Sequence, residues 1–187
     1  MVTLPRLVIA AAASSAGKTT IATGLMGALR AAGQVVAGFK VGPDFIDPGY
    51  HALATGRPGR NLDAVLTSEE LVPQLLLHGA DVPEPADLAI VEGVMGLFDG
   101  QLGRDGFGST AHIAQLITAP VVLVVDAAGS SRTSAAAALG LRAFDERITI
   151  AGVIINRVGS PRHAAELAAV FEQAGLPVLG TVPRNAG

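Results

Sequence analysis

The segment AASSAGKT at Ala12–Thr19 constrains the fold more than any other stretch of the chain. It matches the spacing G-x-x-x-x-G-K-[ST] at every defined position except the first, where Ala12 stands in place of glycine. An apolar run, Arg6–Ala12, leads in and a helical pattern leads out. The backbone N–H groups of Ser14, Ser15, Ala16 and Gly17, with the helix N-terminus, are therefore expected to converge on phosphate oxygens. In that arrangement Lys18 neutralises the β and γ phosphates, Thr19 offers its hydroxyl to Mg²⁺, and Thr20 is its helical neighbour. The alanine at position 12 argues the other way, because alanine tolerates positive φ poorly.

The rest of the chain repeats that rhythm. Apolar runs at Arg6–Ala12, Val35–Lys40, Leu88–Glu92, Val121–Asp126, Ile150–Asn156 and Val178–Val182 read as strands. Most are continuous rather than alternating, as strands covered on both faces must be. Helices at about Thr19–Ala32, Ser68–His78, Thr110–Ile117, Ser131–Phe144 and Pro161–Ala174 can supply the cover. Half the residues are hydrophobic but only 4% aromatic, so the core has to be aliphatic. The expected fold is a single α/β domain over residues 1–187, a P-loop NTPase with a doubly wound, mostly parallel sheet flanked by helices.

Val41–Leu62 and Gly93–Gly108 break the pattern. Both are rich in Gly, Pro and Asp, and both follow strands, where ligands sit in open α/β sheets. The first places Lys40, Asp44, Asp47 and His51 in one stiffened loop, with His51 equally readable as a capping or partly buried residue. Two carboxylates beside a phosphate loop can hold Mg²⁺ directly or through water, and Lys40 can meet a γ phosphate or an anionic substrate. The second loop follows LAIVEG. Glu92, at the end of its strand, is placed to complete a Mg²⁺ shell, and Asp99 follows in a D-G turn. Asn156 and Arg157 end the fifth strand, where an amide can pair with a purine edge. Asp126 reads as a turn former, and His78, His112 and His163 as structural or surface residues.

A formal charge of −3 gives no basic footprint for nucleic acid, and no apolar run is long enough to span a membrane as a helix. With no cysteine, the chain has no disulfide, thiolate metal site or cysteine nucleophile. The short run Leu7–Ala13 behind Arg6 imitates a secretion signal, but cleavage near Ala16 would destroy the phosphate loop, so a cytoplasmic protein is expected.

Together AASSAGKTT, FKVGPDFIDPGYH, NLD at Asn61–Asp63, VEGVMGLFDG, AGVIINRV and LPVLGTVPR resemble the amidotransferase-ligases of corrin biosynthesis, from about Leu7 to Arg184. The resemblance implies a dethiobiotin-synthetase-like fold and an enzyme that uses Mg-ATP to phosphorylate a peripheral carboxylate of a tetrapyrrole. Ammonia then displaces phosphate to leave a carboxamide. By the same resemblance Lys18 and Thr19 bind phosphate and Mg²⁺, and Lys40 meets the γ phosphate. Asp44, Asp47, Glu92 and Asp99 serve metal and substrate activation, Thr19, Asp44 and Glu92 being the metal set, and Asn156 faces adenine. The implied partners are a corrinoid polycarboxylate, ammonia from a glutaminase domain absent from this chain, and a second copy as a candidate for homodimerisation. Partitioning or membrane-positioning ATPases share the fold type but carry an additional lysine early in the loop, where this chain has Ala13. Dethiobiotin synthetases lack the DFIDPGYH type of loop.

Overall fold

Seven parallel strands form one sheet in the computed structural model, which describes residues 4–184. In chain order the elements are β1 (Arg6–Ala11), α1 (Lys18–Ala31), β2 (Val36–Val41), α2 (Asp47–Thr55), β3 (Arg60–Leu62), α3 (Leu71–Asp81), β4 (Leu88–Glu92), α4 (Thr110–Leu116), β5 (Val121–Asp126), α5 (Arg132–Phe144), β6 (Ile150–Val158), α6 (Pro161–Gln173) and β7 (Val178–Pro183). The strand order is β3-β2-β4-β1-β5-β6-β7, and every pairing is parallel. All carboxyl ends therefore lie along one edge. The chain leaves β1 toward β2 and later crosses from β4 to β5, on the other side of β1. That reversal opens the crevice in which ligands of doubly wound sheets bind.

The continuous apolar strands are explained by the two layers they serve. Val8 and Ala10 of β1, Ala89 and Val91 of β4, and Val121 and Leu123 of β5 pack on one face with Val72, Ile113, Ala135 and Phe171. Their neighbours Ile9, Ala11, Ile90, Val122 and Val124 pack on the other with Ile21, Ala22 and Met26 of α1. Successive side chains of a strand point to opposite faces, so burial on both demands unbroken runs.

The stretch Val41–Leu62 is not an irregular loop. It contains α2 and the three-residue β3, which pairs with β2 at Phe39↔Arg60 through Val41↔Leu62. Asp47 opens the helix and His51 lies inside it. Pro48 and Gly49 disguise the helix in sequence, although proline is tolerated in a first turn. Two ends also differ from expectation: α3 begins at Leu71, and β6 continues past Asn156 to Val158. Among the described residues no helix is long and apolar enough to cross a membrane.

Candidate active site

Ala12–Gly17 is the turn between β1 and α1. Ser15 (φ 63°) and Gly17 (φ 97°) take left-handed backbone, whereas Ala12 does not, so alanine in the first glycine position strains nothing. Gly17 is needed for space as well as conformation: a Cβ there would lie 2.3 Å from Asn156 Nδ2. Asn156 is 6% exposed. Its Nδ2 donates to Ala16 O (2.9 Å) and its Oδ1 accepts from Arg157 N (2.9 Å). Among the described residues the N–H groups of Gly17, Lys18, Thr19 and Thr20 donate to no protein acceptor. These orphan donors at a helix N-terminus form a cradle for an anion. Lys18 Nζ is turned onto Ala13 O (3.0 Å) and Met95 O (2.6 Å), tying the phosphate loop to the segment after β4.

Beside this turn lies a buried charge cluster. β2 delivers Lys40 and β4 delivers Glu92, neighbours in parallel register. Lys40 Nζ lies 2.6 Å from Asp47 Oδ2 and 2.9 Å from Glu92 Oε1. Thr19 Oγ1 donates to Glu92 Oε1 (2.5 Å), with Asp47 Oδ2 at 3.4 Å. His51 Nε2 lies 2.7 Å from Glu92 Oε2, both side chains fully buried. Burial works to raise the Glu92 pKa, but hydrogen bonds from His51, Lys40 and Thr19 overcome it and hold the carboxyl down to about 2. For Lys40 burial opposes the charge, and bonds to Asp47 and Glu92 outweigh it, raising its pKa. Lys18 is lowered, first by burial and then by the nearby charge of Lys40.

Oxygen atoms of Thr19, Asp47 and Glu92 converge at the mouth of the phosphate loop, the donor chemistry Mg²⁺ prefers. Among the described residues no three His, Cys, Asp or Glu side chains cluster to hold a metal by themselves. This suits an ion that keeps phosphate and water ligands. A cavity of about 490 Å³ lined by Ser14, Ser15, Gly17, Lys18, Thr19, Thr20, Lys40, Glu92 and Arg157 opens here.

Two expected residues stand outside the Thr19–Glu92 cluster. Asp44 Oδ1 accepts from Ile46 N (2.7 Å) and Asp47 N (2.9 Å), folding the turn that starts α2 rather than joining the Thr19–Glu92 cluster. Asp47, not Asp44, is the carboxylate of this loop that reaches Lys40 and Thr19. Asp99 Oδ2 accepts from Gly96 N (2.9 Å), closing the turn that follows Met95, and its charge still acts on Lys18. At the far end Asp126 pairs with Arg157 (2.7 Å), so it is more than a turn former. Arg157, not Asn156, lines the cavities on both sides of the phosphate loop, because the Asn156 amide is committed to Ala16 and Arg157. The residue sequence reasoning undervalued is His51. Its spacing of four from Asp47 puts both on one helical face, a signal that emerges only once α2 is recognised.

The chain is similar to hydrogenobyrinate a,c-diamide synthase of Thermobifida fusca (strain YX), 65% identical over 98% of this chain and 39% of the relative. It is similar also to cobyrinate a,c-diamide synthase of Gloeobacter violaceus, 49% identical over 96% of this chain and 39% of the relative. It thus spans well under half the length of these relatives. Among solved structures, chloroplast FtsY from Physcomitrella patens superposes with a TM-score of 0.67 at 17% identity, over 100% of this chain and 61% of that one. The septum site-determining protein MinD from Pyrococcus horikoshii OT3, complexed with Mg-ADP, gives 0.59 at 16% identity, over 98% and 82%. At such identities these two show the P-loop fold alone. The CbiA family profile, described as the CobQ/CobB/MinD/ParA nucleotide binding domain, matches residues 7–187, and the chain belongs to that family.

Proposed function

We propose that this chain binds Mg-ATP and phosphorylates side-chain carboxylates of a corrinoid of the cobyrinate or hydrogenobyrinate type, at the a and c positions, in preparation for amide formation. The reading rests on the Lys40–Asp47–Glu92 network at the mouth of the phosphate loop. The names of the relatives supply the substrate class. A carboxylate oxygen attacks the γ-phosphorus, the bond to the bridging oxygen breaks, and ADP leaves. Ammonia then attacks the acyl carbon, phosphate departs with the former carboxylate oxygen, and nitrogen loses a proton. Bound Mg²⁺ would neutralise charge developing on the phosphates.

The chain's own groups position and stabilise. Lys40, its pKa raised by Asp47 and Glu92, stays a cation at neutral pH and so serves as an electrostatic partner rather than a base. Glu92, held near 2, stays ionised and donates no proton. Thr19, Asp47 and Glu92 would hold the metal, and Lys18 the phosphates. Ammonia comes from outside this chain, which has no cysteine to form the thioester of a cysteine-dependent glutaminase.

The test is ATP turnover with Mg²⁺, ammonium and hydrogenobyrinate or cobyrinate, with the product read by mass. ADP formation that requires the macrocycle, together with carboxamide product, is expected. Turnover indifferent to the macrocycle and stimulated by DNA or lipid would overturn the reading.

A further inference from the structure

Helix α2 turns its polar face inward. Asp47, His51 and Thr55 succeed one another at intervals of four and face the sheet, while Ile46, Tyr50 and Leu53 remain 69%, 52% and 79% exposed. An ordinary surface helix does the reverse. The inward residues are held by specific bonds: Asp47 to Lys40, Thr55 Oγ1 to His51 O (2.8 Å), and the His51 ring to Glu92.

The contact from His51 has a defined direction. An ionised carboxylate only accepts, so Nε2 carries the proton and donates to Glu92 Oε2. Among the described residues His51 Nδ1 is buried without a partner, which leaves the Glu92 bond as the one polar contact of the ring there. Gly38 of β2 makes room for it: a Cβ there would lie 2.9 Å from His51 Cβ. Among the described residues Glu92 is thus gripped on both sides, Oε1 by Thr19 and Lys40 and Oε2 by His51 alone.

We propose that His51 is a positioning residue: by holding Oε2 it fixes the plane of the Glu92 carboxylate so that Oε1 faces Thr19 and the phosphate loop, and thereby sets the Mg²⁺ affinity of the nucleotide complex. The inference rests on the Mg-ATP reading above. The terminal torsion of a glutamate is broad, so a carboxylate gripped on one side alone swings. Loss of His51 also strands Oε2 in a dry site, where the carboxylate turns further toward Lys40.

The test titrates Mg²⁺ against a fluorescent ATP analogue on the full chain, for wild type, His51→Leu and His51→Gln, with nucleotide affinity in EDTA as reference. Groups supporting metal ligands are typically worth 10–100-fold in metal affinity or activity, so His51→Leu should weaken apparent Mg²⁺ affinity by about that factor and leave EDTA affinity within about twofold. His51→Gln places an amide N–H at comparable reach and should recover most of the loss. Steady-state kinetics should show kcat reduced and the KM for ATP nearly unchanged in His51→Leu. Equal Mg²⁺ affinity in all three proteins overturns the proposal, as does a thermal-stability loss shared by both variants with no change in Mg²⁺ dependence. Gly38→Ala displaces the ring without deleting its donor and carries the test should His51→Leu not fold. It should shift Mg²⁺ affinity in the same direction, and an unchanged value counts against His51. A wild-type chain that binds no nucleotide rejects the Mg-ATP reading itself, and the inference with it. Mg²⁺-dependent binding shared equally by every variant rejects His51 alone.

Discussion

Acidification should reveal the Glu92 network as a loss of stability that one substitution removes. The Glu92 carboxyl is ordinarily at 4.5 and is held at about 2 in the fold, burial being overcome by bonds from His51, Lys40 and Thr19. The folded value lies below the unfolded one, so the stabilisation is complete above about pH 4.5 and drains away as pH falls toward about 2. At 1.36 kcal/mol per unit the whole span is about 3 kcal/mol, of which about 1.4 kcal/mol is lost between pH 6 and pH 3.5. Glu92→Gln keeps the volume and an oxygen for Lys40 but cannot titrate. Urea unfolding of both proteins in EDTA, at those two pH values, isolates the effect, since the distant carboxylates titrate in both and cancel. With an m-value of about 2 kcal/mol/M, the midpoint advantage of the wild type should shrink by about 0.7 M. An advantage that stays constant across the interval would refute the claim that the surrounding donors stabilise the ionised form.

Lys18→Ala removes two bonds to carbonyl oxygens and the charge expected to meet phosphate. Nucleotide affinity should fall at least about 10-fold, the worth of charge-assisted hydrogen bonds, while the thermal midpoint moves little; unchanged affinity in a fluorescence titration would remove the phosphate-loop assignment. Asp44 and Asp47 should separate under conservative substitution. Asp44→Asn keeps the acceptor that folds the α2 turn and should leave stability within about 0.5 kcal/mol, whereas Asp47→Asn breaks the pair with Lys40 and should abolish amide formation with ATP binding retained. Amide formation by the purified chain should run with ammonium and not with glutamine, and equal rates with both nitrogen sources would contradict the assigned chemistry.

Much of the candidate site was legible because its signals are local. The phosphate loop is a contiguous spacing between a strand and a helix, and Glu92 is the last residue of an unbroken apolar strand. The architecture followed from strands buried on both faces, which leave short continuous apolar runs alternating with helical stretches. Helix α2 escaped detection because its periodicity is reversed: the apolar residues that should mark a buried stripe are the exposed ones. β3 is three residues long, too short to carry a period. The role of His51 depends on Glu92, 41 residues away, and the commitment of Asn156 depends on Ala16, 140 residues away. Local patterning encodes neither pairing. The glycine missing at position 12 raised a concern that the backbone dissolves, since the left-handed turns fall at Ser15 and Gly17 instead.

Lys18 has three protons to give, and in this state two of them are committed to carbonyls on different segments, Ala13 and Met95. An arriving triphosphate competes for the same ammonium, so occupancy of the cradle and attachment of the segment after β4 are thermodynamically linked. Linkage is reciprocal: whatever draws Met95 away from Lys18 strengthens nucleotide binding by the same factor that nucleotide loosens Met95. That segment leads from Glu92 to the turn that Asp99 closes, so the lysine placed to meet phosphate also ties its arrival to that loop. Amide hydrogen exchange across 93–99, faster with nucleotide than without, is the measurable form of that message.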